Sequence, residues 1–175
     1  MTQRINDPIC RDREPGTVRP GNGLRRRGMM AYAESEGRSV VSLLIGWWTY
    51  RSLINDPDIS KDFNDLEFGR DDLVIEDFPP GGFNGRLIFG DTYQFKLFGA
   101  SSFGNPFTVR FQGVGDTTDS QGQIYDYVGY WIPVWPNGVR QRSALVGSVV
   151  RTVPHNGDRA KAGVVASWIA LKRDA

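Results

Sequence analysis

The sequence predicts an all-β fold: an eight-stranded antiparallel up-and-down β-barrel with a short N-terminal helical turn. Three observations predict it. The 175 residues include 21 Gly, ten Phe, six Tyr and five Trp but only four Lys, a balance that favours strands and tight turns over long helices. From Ser39 onward, short apolar or alternating segments are separated by turn residues. Most joints are too short for a parallel crossover, so consecutive strands must be antiparallel neighbours. Closing such a meander removes both exposed edges and leaves an interior wide enough for side chains or one small ligand.

The elements follow in order. Ser39–Ile45 reads as one turn of helix, and Trp47–Ile54 as the first strand. If Trp48 points inward, period two sends Tyr50, Ser52 and Ile54 inward as well. The long joint 55–72 has room for a short helical or strand piece around Phe63–Phe68. Leu73–Phe78 is the second strand, and Pro79-Pro80-Gly81-Gly82 turns the chain into the third, Phe83–Gly90. After Asp91-Thr92 the fourth strand, Tyr93–Gly99, sets Tyr93, Phe95 and Leu97 against Gln94 and Lys96. After Gly104-Asn105-Pro106 the fifth, Phe107–Gly113, sets Phe107, Val109 and Phe111 against Thr108, Arg110 and Gln112. A second long joint, 115–123, leads to the sixth strand, Ile124–Val134. Pro136-Asn137-Gly138 leads to the seventh, Ser143–Val153, and His155-Asn156-Gly157-Asp158 to the eighth, Ala162–Lys172. Asn-Gly favours hairpins because both residues tolerate positive φ.

Residues 1–28 carry seven Arg against three acidic residues and show no periodicity, so 1–38 reads as a basic, disordered tail and 39–175 as the barrel domain. Residues 29–175 carry 14 basic and 17 acidic side chains, which argues against a nucleic-acid-binding body. One Cys and one His exclude a disulfide framework and any zinc site built from Cys or several His. No metal and no cofactor is expected. The best apolar run, Val40–Trp48, is interrupted by Ser42 and Gly46 and is too short to span a bilayer. With the lone Cys10 this gives a cytoplasmic expectation.

The last three strands are apolar or small on both faces, whereas a monomeric barrel keeps one face wet. This side is therefore expected to be covered. A homo-oligomer through 124–134, 143–153 and 162–172 would cover it; the N-terminal segment is the other candidate.

Gly46-Trp47-Trp48 at the first strand and Arg173 just after the last resemble the calycin pattern of lipocalins, a Gly-x-Trp with a closing Arg; avidins show related features. The resemblance spans 39–173 and implies that Trp48 sits at the closed end with Arg173 packed across its ring. A Thr-Asp-Tyr stretch between the sixth and seventh strands is absent, as is the biotin-contact pattern of avidins, so the resemblance implies architecture and no ligand. The runs Trp48-Thr49-Tyr50-Arg51-Ser52 and Val146 to His155 are similar to uncharacterised bacterial proteins.

With Trp48 at the closed end, both long joints share the opposite mouth, where binding residues collect. Tyr50, Tyr93, Phe111, Tyr127 and Trp131 are the expected aromatic lining of a ligand site, and Gly129, Gly147, Ser148 and Ser167 the residues that make room. Many Asp gather at the same mouth, either as turn formers or as a field for cationic or polyhydroxylated ligands. His155, Arg151 and Asp126 are the candidate catalytic groups. His155 also reads as an ordinary turn residue. Asp126 is either an inward carboxylate facing Arg110 or Arg151, or a surface charge. The leading function is binding of a small apolar or aromatic molecule. The alternatives are an isomerase or cyclase resembling allene oxide cyclase, and a structural oligomeric barrel without a cavity.

Overall fold

The structure, a computed structural model, describes residues 41–78, 82–157 and 159–174. The expected basic tail, Cys10, most of the Pro-Pro-Gly-Gly joint and Asp158 lie outside the described residues. A four-residue helix, α1 (Val41–Leu44), precedes eight strands: β1 (Gly46–Ile54), β2 (Glu67–Phe78), β3 (Gly82–Ile88), β4 (Gln94–Ser102), β5 (Thr108–Gly115), β6 (Ile124–Ile132), β7 (Ala144–Arg151) and β8 (Val165–Lys172). Each strand pairs antiparallel with the next, and β8 pairs with β1 to close the barrel. Among the described residues no helix is long and apolar enough to cross a membrane.

Two boundaries depart from the sequence pattern. β2 begins at Glu67 rather than Leu73, because Arg70, Asp71 and Asp72 belong to the ladder with β1 instead of to a loop. A turn of 3₁₀ helix, Phe63–Leu66, precedes it, with the Asp62 carboxylate accepting from the Asn64 backbone N–H at 2.8 Å. At the other end, β8 begins at Val165, so 152–164 is a third long loop at the mouth. Its inner turn is formed by Asn156 and Gly157, at φ 54° and 63°. This returns the chain so that His155 and Ala160 exchange both backbone hydrogen bonds (3.1 and 3.2 Å).

Alternation decides what fills the interior. Trp48, Tyr50 and Ser52 are buried while Thr49 and Arg51 are exposed, and β4, β5 and β8 repeat the pattern. At the closed end Trp48 is fully buried and its indole N–H donates to the Leu44 carbonyl at 2.9 Å. The helical turn thereby seals the barrel with the Trp48 ring beneath it. The cation over that ring is Lys172, at 5.6 Å from the centroid, and its amine donates to the Leu43 carbonyl at 2.6 Å. Arg173 does not take this place. Inward positions of β8 are even-numbered, so Arg173 lies on the outer wall, where its Nε donates to Thr49 Oγ1 (3.1 Å) and its guanidinium pairs with Asp72.

The middle of the barrel is solid. Phe111 and Tyr127 stack at 4.5 Å with planes 9° apart, and Trp168 packs against both and against Tyr50. Gly129 admits the Trp168 ring: a Cβ there would stand 2.6 Å from it. Gly129 thus makes room for an indole and not for a ligand. Ser148 and Ser167 are register partners on the outer face, so they do not enlarge the interior either.

Deleting the Trp48 side chain empties the sealed end. Trp48→Ala is expected to destabilise the protein by about 3–5 kcal/mol in chemical denaturation. An unchanged unfolding midpoint would contradict the placement of Trp48.

Candidate functional site

The mouth opposite α1 holds a cavity of about 330 Å³. Strand ends and two loops build it. β1 contributes Tyr50 and Ser52; the early part of β2, Phe68 and Gly69; the turn after β3, Phe89 and Tyr93. Phe95 comes from β4, Tyr125 and Tyr127 from β6, Arg151 from the last position of β7 and His155 from the following loop. The aromatic walls hold one another edge to face, with Tyr93 on Phe95 at 5.2 Å, Phe95 on Tyr125 at 5.4 Å and Phe68 on Tyr125 at 5.9 Å. Such contacts fix ring orientation as well as burying area.

Gln123 ties the walls to the loop between β5 and β6. Its Oε1 accepts from the Tyr93 hydroxyl at 2.6 Å and from the Tyr125 hydroxyl at 3.3 Å, while its amide donates to the Asp119 carbonyl at 2.9 Å. Ser120, fully buried, takes the backbone N–H groups of Asp116 and Thr117 and donates to the Gln94 carbonyl. The loop is thereby bound to its neighbours on several sides.

Three of the five residues that the pattern places in the lining, Tyr50, Tyr93 and Tyr127, line the cavity. Phe111 lies beneath it, stacked under Tyr127. Trp131 is inward but at the other end, edge-on to Phe107 at 6.1 Å. At about 3.3 Å per residue, the four positions from Tyr127 to Trp131 carry it about 13 Å down the strand. Asp126 faces outward, because Tyr125 and Tyr127 face in, and it accepts from the Gln112 amide at 2.8 Å. It therefore has no place in cavity chemistry. Phe68 is missing from the expectation because β2 is longer than its charges suggest; Phe89 continues the alternation of Phe83, Gly85 and Leu87, and that signal was there to find.

Three of the Asp residues near the mouth make local contacts. Asp56 pairs with Lys61 at 2.5 Å, Asp58 accepts from Ser60, and Asp116 pairs with Lys96 at 2.6 Å. Hydrogen bonds from Lys61 and Ser60 hold the Asp56 and Asp58 carboxyls below their ordinary range. None of the lining residues is acidic. Arg151 supplies the cavity's fixed positive charge, its guanidinium carbon 5.2 Å from the Phe68 centroid and 6.0 Å from that of Tyr125. The His155 ring meets Tyr125 edge to face at 6.2 Å. Among the described residues no cluster of His, Cys, Asp or Glu could hold a metal ion.

Comparison with protein-family models, with curated proteins and with solved structures finds no match to this chain. The class is therefore defined by the fold itself: a closed eight-stranded antiparallel up-and-down barrel with buried aromatics.

Burial raises the tyrosine hydroxyls of the site. Tyr50 is pushed up to about 12, and Tyr127 and Tyr93 also lie well above the ordinary value, desolvation being the largest cause in each. A raised folded-state value means that this contribution to stability is complete below the unfolded value near 10 and is lost as pH climbs through the folded one. Stability is thus expected to fall from pH 10 toward pH 12, and Tyr50→Phe to make that fall shallower. Denaturation at stepped alkaline pH measures it; identical pH slopes for both proteins would contradict the burial of the Tyr50 hydroxyl.

Proposed function

We propose that the protein binds a small apolar or aromatic molecule in the mouth cavity. The observation that carries this reading is a space of about 330 Å³ walled by seven Phe and Tyr rings, with Ser52, Arg151 and His155 among them. It falls at the lower end of the roughly 300–1,000 Å³ typical of ligand sites. The packed middle of the barrel gives that space a rigid floor, and Gln123 and Ser120 brace its rim. A binder needs only this shape. An isomerase or cyclase would also need an acid–base group with a partner that positions it, and His155 Nδ1 has no hydrogen-bond partner among the described residues. A barrel serving only as a solid building block would have no use for the space.

The reading includes a calycin-like architecture, supported by the buried Trp48 where β1 begins and by a cation over its ring, supplied here by Lys172. It also includes cytoplasmic residence, for which the single Cys is the support.

The neutral fluorophore N-phenyl-1-naphthylamine tests the cavity. It is expected to bind once per chain, with enhanced emission, and to lose at least about tenfold in affinity in Gly69→Leu. A Cβ at Gly69 already meets the Phe89 ring at 3.0 Å, so a larger side chain would fill the space. Absence of saturable binding to the unaltered protein would contradict the reading.

Self-association is the second part of the proposal. The outer faces of β6, β8 and β1 leave Tyr130, Val165, Ile169, Leu171 and Trp47 between 38% and 48% exposed. In register, Tyr130 lies beside Val146, which lies beside Ile169, so the apolar band is continuous across β6, β7 and β8. Contiguous apolar surface of this kind marks an interaction site. Sedimentation equilibrium at micromolar concentration is expected to give an oligomer that Ile169→Lys converts to monomer. A monomer before the substitution would contradict it.

A further inference from the structure

We infer that the ligand of the mouth cavity is an organic anion: a carboxylate on a compact apolar or aromatic body, its oxygens held by Arg151 and His155. The inference rests on the binding reading above and narrows it to a ligand class.

Unsatisfied polar atoms point to it. Among the described residues four buried side-chain nitrogens and oxygens lack any hydrogen-bond partner: Ser42 Oγ, Trp131 Nε1, Arg151 Nε and His155 Nδ1. The last two line the same cavity. A buried donor without a partner is costly, and native proteins leave few of them. Both belong to side chains that line one cavity, and a ligand there that accepts hydrogen bonds satisfies both once the side chains turn toward it.

The chemistry of the two groups selects the ligand's charge. Arg Nε is only a donor, and His Nδ1 donates whenever it carries its proton. Arg151 spends Nη1 on the Lys161 carbonyl at 3.2 Å. Its other edge, Nε with Nη2, is the planar fork that matches a carboxylate in bidentate geometry. Among the described residues no carboxylate pairs with that fork, and the lining contains no acidic side chain to neutralise the guanidinium. A cationic ligand would meet this positive charge with no acidic side chain in the lining to offset it.

Both groups are preorganised. The guanidinium rests against Phe68 and Tyr125, a cation–π arrangement that fixes its plane. His155 is held by its paired backbone bonds to Ala160 and by the edge contact with Tyr125. These contacts reduce the freedom that binding would have to remove, which favours affinity. The apolar body of the ligand then lies among the rings of Phe89, Phe95 and Tyr127.

The test titrates the full-length protein with three compounds of one shape, 2-naphthoate, 2-naphthamide and 2-methylnaphthalene, by calorimetry. Naphthoate is expected to bind at least about tenfold more tightly than naphthamide. Arg151→Met should erase that preference while keeping the affinity for 2-methylnaphthalene, and Arg151→Lys, which retains charge without the fork, should restore part of it. His155→Phe should reduce the preference alone. If the neutral compounds bind as well as or better than naphthoate, the anion assignment is overturned while the binding reading stands. If none of the three binds, the binding reading fails and the assignment with it. Should Arg151→Met not fold, the comparison of the three compounds on the unaltered protein and on Arg151→Lys decides the same question.

Discussion

The ladder between β1 and β8 is the constraint on which the rest of the structure depends. It runs from Trp48 opposite Lys172 to Ile54 opposite Ala166. Because it closes a meander in which every other neighbour is already adjacent in sequence, it fixes which face of each strand is inside. A shift by one residue would send Trp48, Tyr50 and Ser52 to solvent. The same register sets Lys172 over the Trp48 ring and Ser52 opposite Trp168, beside the Tyr50 ring that stacks on it. Sealing of one end and packing of the middle both follow from it.

The cavity follows from where that packing stops. Large side chains fill the interior from Trp48 up to the layer of Tyr50, Phe111, Tyr127 and Trp168. Above that layer Ser52 and Gly69 stand opposite one another on β1 and β2, and neither is large enough to fill the mouth. The surrounding rings lean on each other edge to face, and the loops that carry Gln123 and His155 are tied back by hydrogen bonds. A rigid floor, small residues on one wall and a guanidinium on the other are sufficient to make an oriented site. The barrel's fold accounts for the space, and Arg151 and His155 account for its polarity.

Much of this was legible in the sequence, and the failures have physical causes. Alternation identified the inward faces of Trp47–Ile54, Tyr93–Gly99 and Phe107–Gly113, because a half-buried strand writes its two faces into alternate residues. Charges hid the first half of β2: Arg70, Asp71 and Asp72 resemble a loop until the ladder to β1 and the Asp72–Arg173 pair are seen. Parity placed Trp131 inside but carried no information on depth. The one-residue offset between Lys172 and Arg173 escaped a motif that names an Arg and ignores strand parity. Arg151 and His155 were visible only as residue types near one turn. That a donor on each lacks a partner depends on contacts made by distant strands, and no local pattern encodes that.

Native mass spectrometry of the full chain purified from its own host tests the central claim most directly. The protein is predicted to carry a small organic molecule, one per chain, that is released on unfolding and proves to be an acid. A chain that flies with its bare polypeptide mass, and whose solution extract contains no stoichiometric small molecule, would contradict the claim that the mouth cavity is a ligand site.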